Sequence, residues 1–171
     1  MASGGVLAPG NNGLGALTTG SLSLIGASSF TLQLNATAGT SGVNWDKVAA
    51  STLDISALDA STHKFTLTLQ TLDAGNNPGA LAGGWDGSVN HTWAGVITFS
   101  SLSGTFDPNM FTIDTSNFVG YSISQGSFAV AQNGNQLDVT YLAAVPEPGT
   151  WAMLLGGMGM LVLFQRRRSL Q

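Results

Sequence analysis

The sequence predicts an all-β fold, and three observations lead there. Apolar and polar residues alternate with a period of two in several short runs. One of these runs occurs twice, and Gly, Ser, Thr, Asn and Ala fill most of the intervening positions. Hydrophobic residues make up 43% of the 171, too many for a disordered chain and enough for one domain with a core.

In chain order, a first strand is expected at Leu22–Ile25. In "SSFTLQLNATAG", Phe30, Leu32 and Leu34 alternate with Thr31, Gln33 and Asn35, which predicts a half-buried strand. Further strands are expected at Trp45–Val48 and Leu53–Ile55. "HKFTLTLQTLDAG" then repeats the F-T-L-x-L pattern with Phe65, Leu67 and Leu69, 35 residues after its first appearance. The Gly-rich stretch 73–88 has no periodicity and reads as a long surface loop. Val96–Leu102 alternates imperfectly. Phe128–Ala131 and Gln136–Leu142 flank Asn133-Gly134, a dipeptide that supplies the positive φ angles of a tight hairpin. No amphipathic helix pattern precedes Pro146.

The formal net charge is −4. Residues 1–144 hold eight aspartates and two basic residues, Lys47 and Lys64, whereas Arg166, Arg167 and Arg168 stand together near the end. An acidic body with no cluster of Lys or Arg argues against nucleic-acid binding. With no cysteine, disulfides, thiolate metal sites and cysteine nucleophiles are excluded. "MASGGVLAPGNNGLG" has neither the basic nor the apolar region of a secretory signal, so any such signal is expected to lie outside this chain.

The C-terminal segment differs in kind. From Trp151 to Phe164 no face carries a polar side chain, so a helix here needs lipid or complete burial. Gly149 to Gln165 would span about 25 Å at ~1.5 Å per residue, short of a ~30 Å hydrocarbon layer. Trp151 suits one interface and the arginines the other, and an Arg cluster on this flank favours the cytoplasmic side. The expected organisation is a β-rich domain at 1–144, a linker at 145–149, a transmembrane helix at 150–165 and a basic cytoplasmic tail at 166–171. Trp151, Leu154, Leu155, Leu161, Val162, Leu163 and Phe164 are the expected membrane-anchoring residues, and the bilayer is an expected partner. The alternative is a buried helix with a solvated basic end.

"VPEPGTWAMLLGGMGMLVLFQRRR" resembles the C-terminal sorting signal of PEP-CTERM proteins, with a Pro-Glu-Pro triplet, a short apolar helix and an arginine cluster in that order. The resemblance implies handling by an exosortase, a membrane protease-transferase of Gram-negative bacteria, with the cut beside Pro146, Glu147 and Pro148. It implies passage through the inner membrane with the N-terminal domain outside, then release to the cell surface or extracellular matrix, with exopolysaccharide as a partner. The prolines keep the triplet extended, as a protease substrate must be.

A second stretch, residues 7–70, is similar to the autotransporter-associated β-strand repeat, through Pro9-Gly10, Leu22–Ile25, Phe30–Leu34 and Trp45-Asp46. That resemblance implies a β-helix-like solenoid fragment, which the terminal hairpin would cap. An antiparallel β-sandwich is the alternative.

Catalysis is not expected. His63 and His91 are the only histidines, and although Asp86, Ser88 and His91 could be written as a triad, no nucleophile-elbow motif accompanies them. "DAGNN" (73–77) offers oxygen atoms without the spacing of a calcium loop, so no metal or cofactor is expected. Trp85 and Trp93 are candidate glycan contacts if exposed, and core anchors if not. The expected function is that of an exported, non-catalytic envelope or matrix protein; the alternative is a membrane-anchored adhesive or carbohydrate-binding domain.

Overall fold

The computed structural model describes residues 1–10, 13–121, 123, 126–144, 153–158, 160 and 165. Nine strands are found among them: β1 (Val6–Leu7), β2 (Ala16–Ile25), β3 (Ser29–Leu34), β4 (Lys47–Ala57), β5 (Phe65–Thr71), β6 (His91–Ser103), β7 (Phe111–Asn117), β8 (Ser127–Asn133) and β9 (Gln136–Leu142). The protein is all-β, as expected.

Successive strands alternate between two open sheets. One has the order β1-β3-β5-β7, the other β2-β4-β6-β9-β8. Every neighbouring pair among β1 to β7 is parallel, and only β9 pairs antiparallel, with β6 on one side and β8 on the other. The antiparallel sandwich considered as an alternative is therefore incorrect: long excursions through the opposite sheet separate the paired strands, and parallel pairing requires such connections.

Period-two patterning explains the core. β3 buries Phe30, Leu32 and Leu34, and β5 buries Phe65, Leu67 and Leu69, while the threonines and glutamines between them face outward. These side chains join Val48, Leu53 and Ile55 of β4 and Trp93 and Ile97 of β6 in a single apolar cluster. The two F-T-L-x-L copies do not stack in sequence register, since Phe30 lies beside Leu67 rather than Phe65. A two-residue offset keeps the same face inward, so the shift leaves the core intact.

The expected strands at Trp45–Val48 and Leu53–Ile55 are one strand, β4, preceded by buried Trp45. β7 was not expected from the sequence. In the hairpin the loop is Gly134-Asn135, one residue later than expected, because Asn133 pairs with Gln136. Gly134 alone supplies a positive φ (58°), at the first central position, as a type II′ turn requires. Where β2 turns into β3, Gly26 lies so close to the next turn that an added Cβ would sit 2.8 Å from His63 Cα.

Candidate functional site: an aromatic cluster and the C-terminal segment

Trp85 comes from the loop between β5 and β6, which is tied down by side chains from elsewhere in the fold. The Tyr121 hydroxyl donates to the Leu81 carbonyl at 3.1 Å, and the Tyr141 hydroxyl donates to the Gly87 carbonyl at 3.0 Å. The stretch 73–88 is thus a loop, as expected, but Leu81 is buried and anchors it. Trp85 lies nearly parallel to Trp93 (6.3 Å, 6°) and Phe128 (6.1 Å, 19°), and edge-on to Phe118 (4.9 Å) and Tyr141 (4.7 Å). The His91 ring covers it at 4.6 Å.

This arrangement makes Trp93 a core anchor. Trp93 is fully buried, and its Nε1–H donates to the Ala36 carbonyl at 2.9 Å, so it presents no face to a glycan. Trp85 is half-buried at the centre of the cluster, and its Nε1–H is buried without a hydrogen-bond partner. Both tryptophans pack the long loop against the hairpin, and Trp93 has no exposed face for a sugar ring.

Most of the aspartates cap local turns. Asp59 Oδ1 accepts from the backbone N–H groups of Ser61 (2.8 Å) and Thr62 (2.7 Å), and Asp86 Oδ1 from Ser88 N–H at 2.9 Å. Asp107 and Asp114 likewise bind the N–H two residues on. These bonds favour the ionised form and hold Asp54, Asp59, Asp73, Asp86 and Asp114 below the usual carboxylate range.

Two buried aspartates connect more distant segments. Asp138 accepts from Gly95 N–H at 2.7 Å. Asp46 accepts from Gly15 N–H (2.8 Å) and Gln33 N–H (2.9 Å), and burial pushes its carboxyl up to about 7 despite both donors. The sequence singled out Asp46 only as half of an aromatic-Asp pair.

Catalytic geometry does not form around Asp86, Ser88 and His91. Ser88 Oγ donates to Asp86 Oδ1 at 2.6 Å, while His91 Nε2 faces the Asp86 backbone carbonyl at 2.7 Å. His63 Nδ1 lies 2.6 Å from Asp59 Oδ2 on the surface. In "DAGNN", Asp73 Oδ1 accepts from Gly75 N–H and Asn77 N–H. Among the described residues, no group of three or more His, Cys, Asp or Glu side chains converges on a metal position.

The remaining candidate is the C-terminal segment. Residues 153–158, 160 and 165 are helical and exposed; Met153 is 80% and Leu155 69% exposed, so the described part of this helix is not a core element. That outcome disfavours the buried alternative. Among the described residues no helix is long and apolar enough to cross a membrane, so the expected span at 150–165 is not supported. Leu154 is also exposed. Pro146, Glu147, Pro148, Trp151, Leu161, Val162, Leu163, Phe164, Arg166, Arg167 and Arg168 lie outside the described residues.

Comparison with protein families places a match here: residues 144–168 fit the family described as the PEP-CTERM protein-sorting motif. The chain carries a PEP-CTERM sorting signal. PEP-CTERM signals direct processing by exosortase, a membrane protein, and imply export. The matched range contains the Pro-Glu-Pro triplet, the apolar run and all three arginines. No curated protein and no solved structure matches the chain.

Proposed function

We propose that this chain is an exported, non-catalytic β-domain of the bacterial cell envelope or extracellular matrix, delivered by its PEP-CTERM signal and processed by an exosortase-type membrane protease. The observation that carries this reading is adjacency: β9 ends at Leu142 and the sorting motif starts at residue 144. A cut at Pro146-Glu147-Pro148 therefore releases every strand of the domain intact. The arginines stay on the cytoplasmic side, leaving the domain outside. The exposed apolar residues Met153, Leu154, Leu155 and Met158 support an environment of lipid or membrane enzyme for the segment.

The domain itself reads as a short β-helix-like solenoid. Alternation of consecutive strands between two sheets and the parallel pairing of β1 to β7 support this. The β8–β9 hairpin then closes one end of the second sheet, where β6 would otherwise present an open edge. A non-catalytic role is supported by the engagement of Ser88 with the Asp86 carboxylate and of His91, at the start of β6, with the Asp86 backbone carbonyl.

One observation favours the second reading, a polysaccharide-binding domain. On the outer face of the first sheet Ser29 aligns with Thr66, Thr66 with Thr112, and Thr31 with Thr68, while Gln33 Nε2 donates to Gln70 Oε1 at 3.0 Å. Hydroxyls and amides in rows suit a glycan chain, and Asp114, beside Thr68 on β7, adds a carboxylate at one side of this face. Binding of exopolysaccharide that survives Gln33→Ala with Gln70→Ala in a folded domain removes this face as the contact.

The primary reading is tested by expressing the full chain in cells with and without an exosortase. It predicts a smaller, membrane-released product only when the enzyme is present.

A further inference from the structure

β2 is the edge strand of the second sheet. Among the described strands β2 is paired with β4 alone, so one side of a ten-residue strand has no strand partner, and the Met1 amine bonds the Ser23 carbonyl there. Edge strands in natural proteins are commonly protected by charge, proline or a bulge directed at the edge. Ala16–Ile25 contains neither a charged residue nor a proline; its register against β4 shifts only at the far end, between Ser23 and Ile25, where the Met1 amine also lies.

The side-chain pattern of β2 is symmetric. Leu17 and Thr19 stand beside buried Val48 and Ala50 of β4, and Leu22 and Leu24 are themselves buried. The inward set is thus 17, 19, 22 and 24, a pattern that reads the same in both directions about the Gly20–Ser21 bond. Running a second β2 antiparallel places Leu17 opposite Leu24 and Thr19 opposite Leu22. Every inward residue then meets an inward residue, and the core columns of the sheet continue across the junction.

Backbone directions agree with this register. The Gly15 carbonyl accepts from Lys47 N–H and so faces β4, which by alternation turns the Thr18 backbone groups to the free edge. The Ser23 carbonyl also faces the free edge, where it accepts from the Met1 amine at 2.8 Å. Residues directly opposite in an antiparallel pair must both face, or both avoid, the partner. Thr18 and Ser23 meet that condition, with the partner's amide taking the place of the Met1 amine.

Gly20 adds an independent observation. A Cβ built there meets nothing within 4 Å, and its φ is not positive, so nothing within the described chain requires glycine. Glycine inside a strand is unfavourable and often marks the close approach of another backbone. In the self-paired register Gly20 lies at the symmetry axis, opposite Ser21.

We infer that two copies of this chain associate through antiparallel pairing of their β2 edges, with Thr18 of one copy opposite Ser23 of the other, doubling the five-stranded sheet. The two-fold arrangement uses the same patch on both copies, as a closed dimer requires. The strand carries no charge, so copies with a net charge of −4 meet there without like-charge contact between the strands. A single strand pair is a small interface, and the dimer is expected to dissociate on dilution.

The full chain in detergent micelles is followed by sedimentation over a concentration series. The expected result is a protein mass that doubles with concentration in the natural sequence and stays at one chain for Thr18→Pro. Proline there removes an N–H directed to the free edge and none bonded to β4. Because the chain has no cysteine, Thr18→Cys and Ser23→Cys also report the register. A short thiol cross-linker is expected to join the two variants when mixed and to join neither variant to itself.

A monomer at every concentration overturns the inference. So does a dimer that Thr18→Pro leaves intact, which would place the contact on the apolar C-terminal segment. Slow hydrogen exchange of the Thr18 amide in a monomer also overturns it, by showing that another part of the same chain covers the edge.

Discussion

The Asp46 carboxylate accepts the Gln33 backbone N–H at 2.9 Å, joining the start of β4 to the middle of β3 from a fully buried position. Its second oxygen atom takes Gly15 N–H just ahead of β2. One side chain thus ties together three consecutive passes of the chain. Burial also makes its ionisation unfavourable, raising its pKa from the ordinary value of 3.8 to about 7.

The sign of the resulting pH dependence follows from linkage. Between these two values the unfolded chain has released the Asp46 proton and the folded chain holds it. The contribution is therefore full below the unfolded value and declines as pH rises toward about 7. Urea midpoints at constant ionic strength are expected to be lower at pH 8 than at pH 5. Asp46→Asn is expected to remove this dependence and to lose about 1–3 kcal/mol at pH 5, because its amide leaves one of the two N–H groups without an acceptor. An unchanged slope in the variant would locate the titration elsewhere.

The surface aspartates respond in the opposite direction. Asp59, held below the usual range by Thr62 and Ser61, contributes stability that is present above the ordinary carboxylate value and lost as pH falls through its folded value. Asp54, Asp73, Asp86 and Asp114 share this behaviour. Acid unfolding followed by circular dichroism should therefore begin below pH 3.8. Asp59→Ala should begin to unfold at higher pH than the natural sequence.

The two stacked tryptophans should differ in their tolerance of substitution. Trp93→Ala is expected to cost about 3–5 kcal/mol by removing a fully buried ring. Trp93→Phe also leaves the Ala36 carbonyl without its donor, whereas Trp85→Phe removes an indole N–H that has no partner. Denaturation midpoints should accordingly fall further for Trp93→Phe than for Trp85→Phe. Equal losses would mean that the orphaned N–H carries no penalty.

The sequence revealed most where chemistry is local. β3 and β5 were legible because Phe30, Leu32, Leu34 and Phe65, Leu67, Leu69 alternate without interruption. β4 looked like two strands because its inward set shifts at Ser51-Thr52, where Ala50 and then Leu53 are buried. β7 was hidden because only Phe111 and Ile113 are apolar among "FTIDTSN". Strand register was not legible, since the sequence repeat predicts Phe30 beside Phe65 and packing selects Leu67.

The aspartates show the same limit at the level of single residues. Asp54-x-Ser56, Asp59-x-Ser61, Asp86-x-Ser88 and Asp107-x-Asn109 share a local Asp-x-Ser/Asn spacing, a known turn device that the sequence reading passed over. Asp46 offered no such neighbour, because its donors lie 13 and 31 residues away. The sorting signal was legible in full because its order along the chain, rather than its packing, defines it.

The most direct measurement is the intact mass and membrane retention of the full chain expressed with an exosortase, without it, and with Pro146→Ala and Pro148→Ala in its presence. A PEP-CTERM cargo predicts that the enzyme alone produces a species lacking the segment after the Pro-Glu-Pro triplet and released from the membrane, and that the double substitution blocks its formation. Identical mass and identical retention in all three cultures would contradict the account.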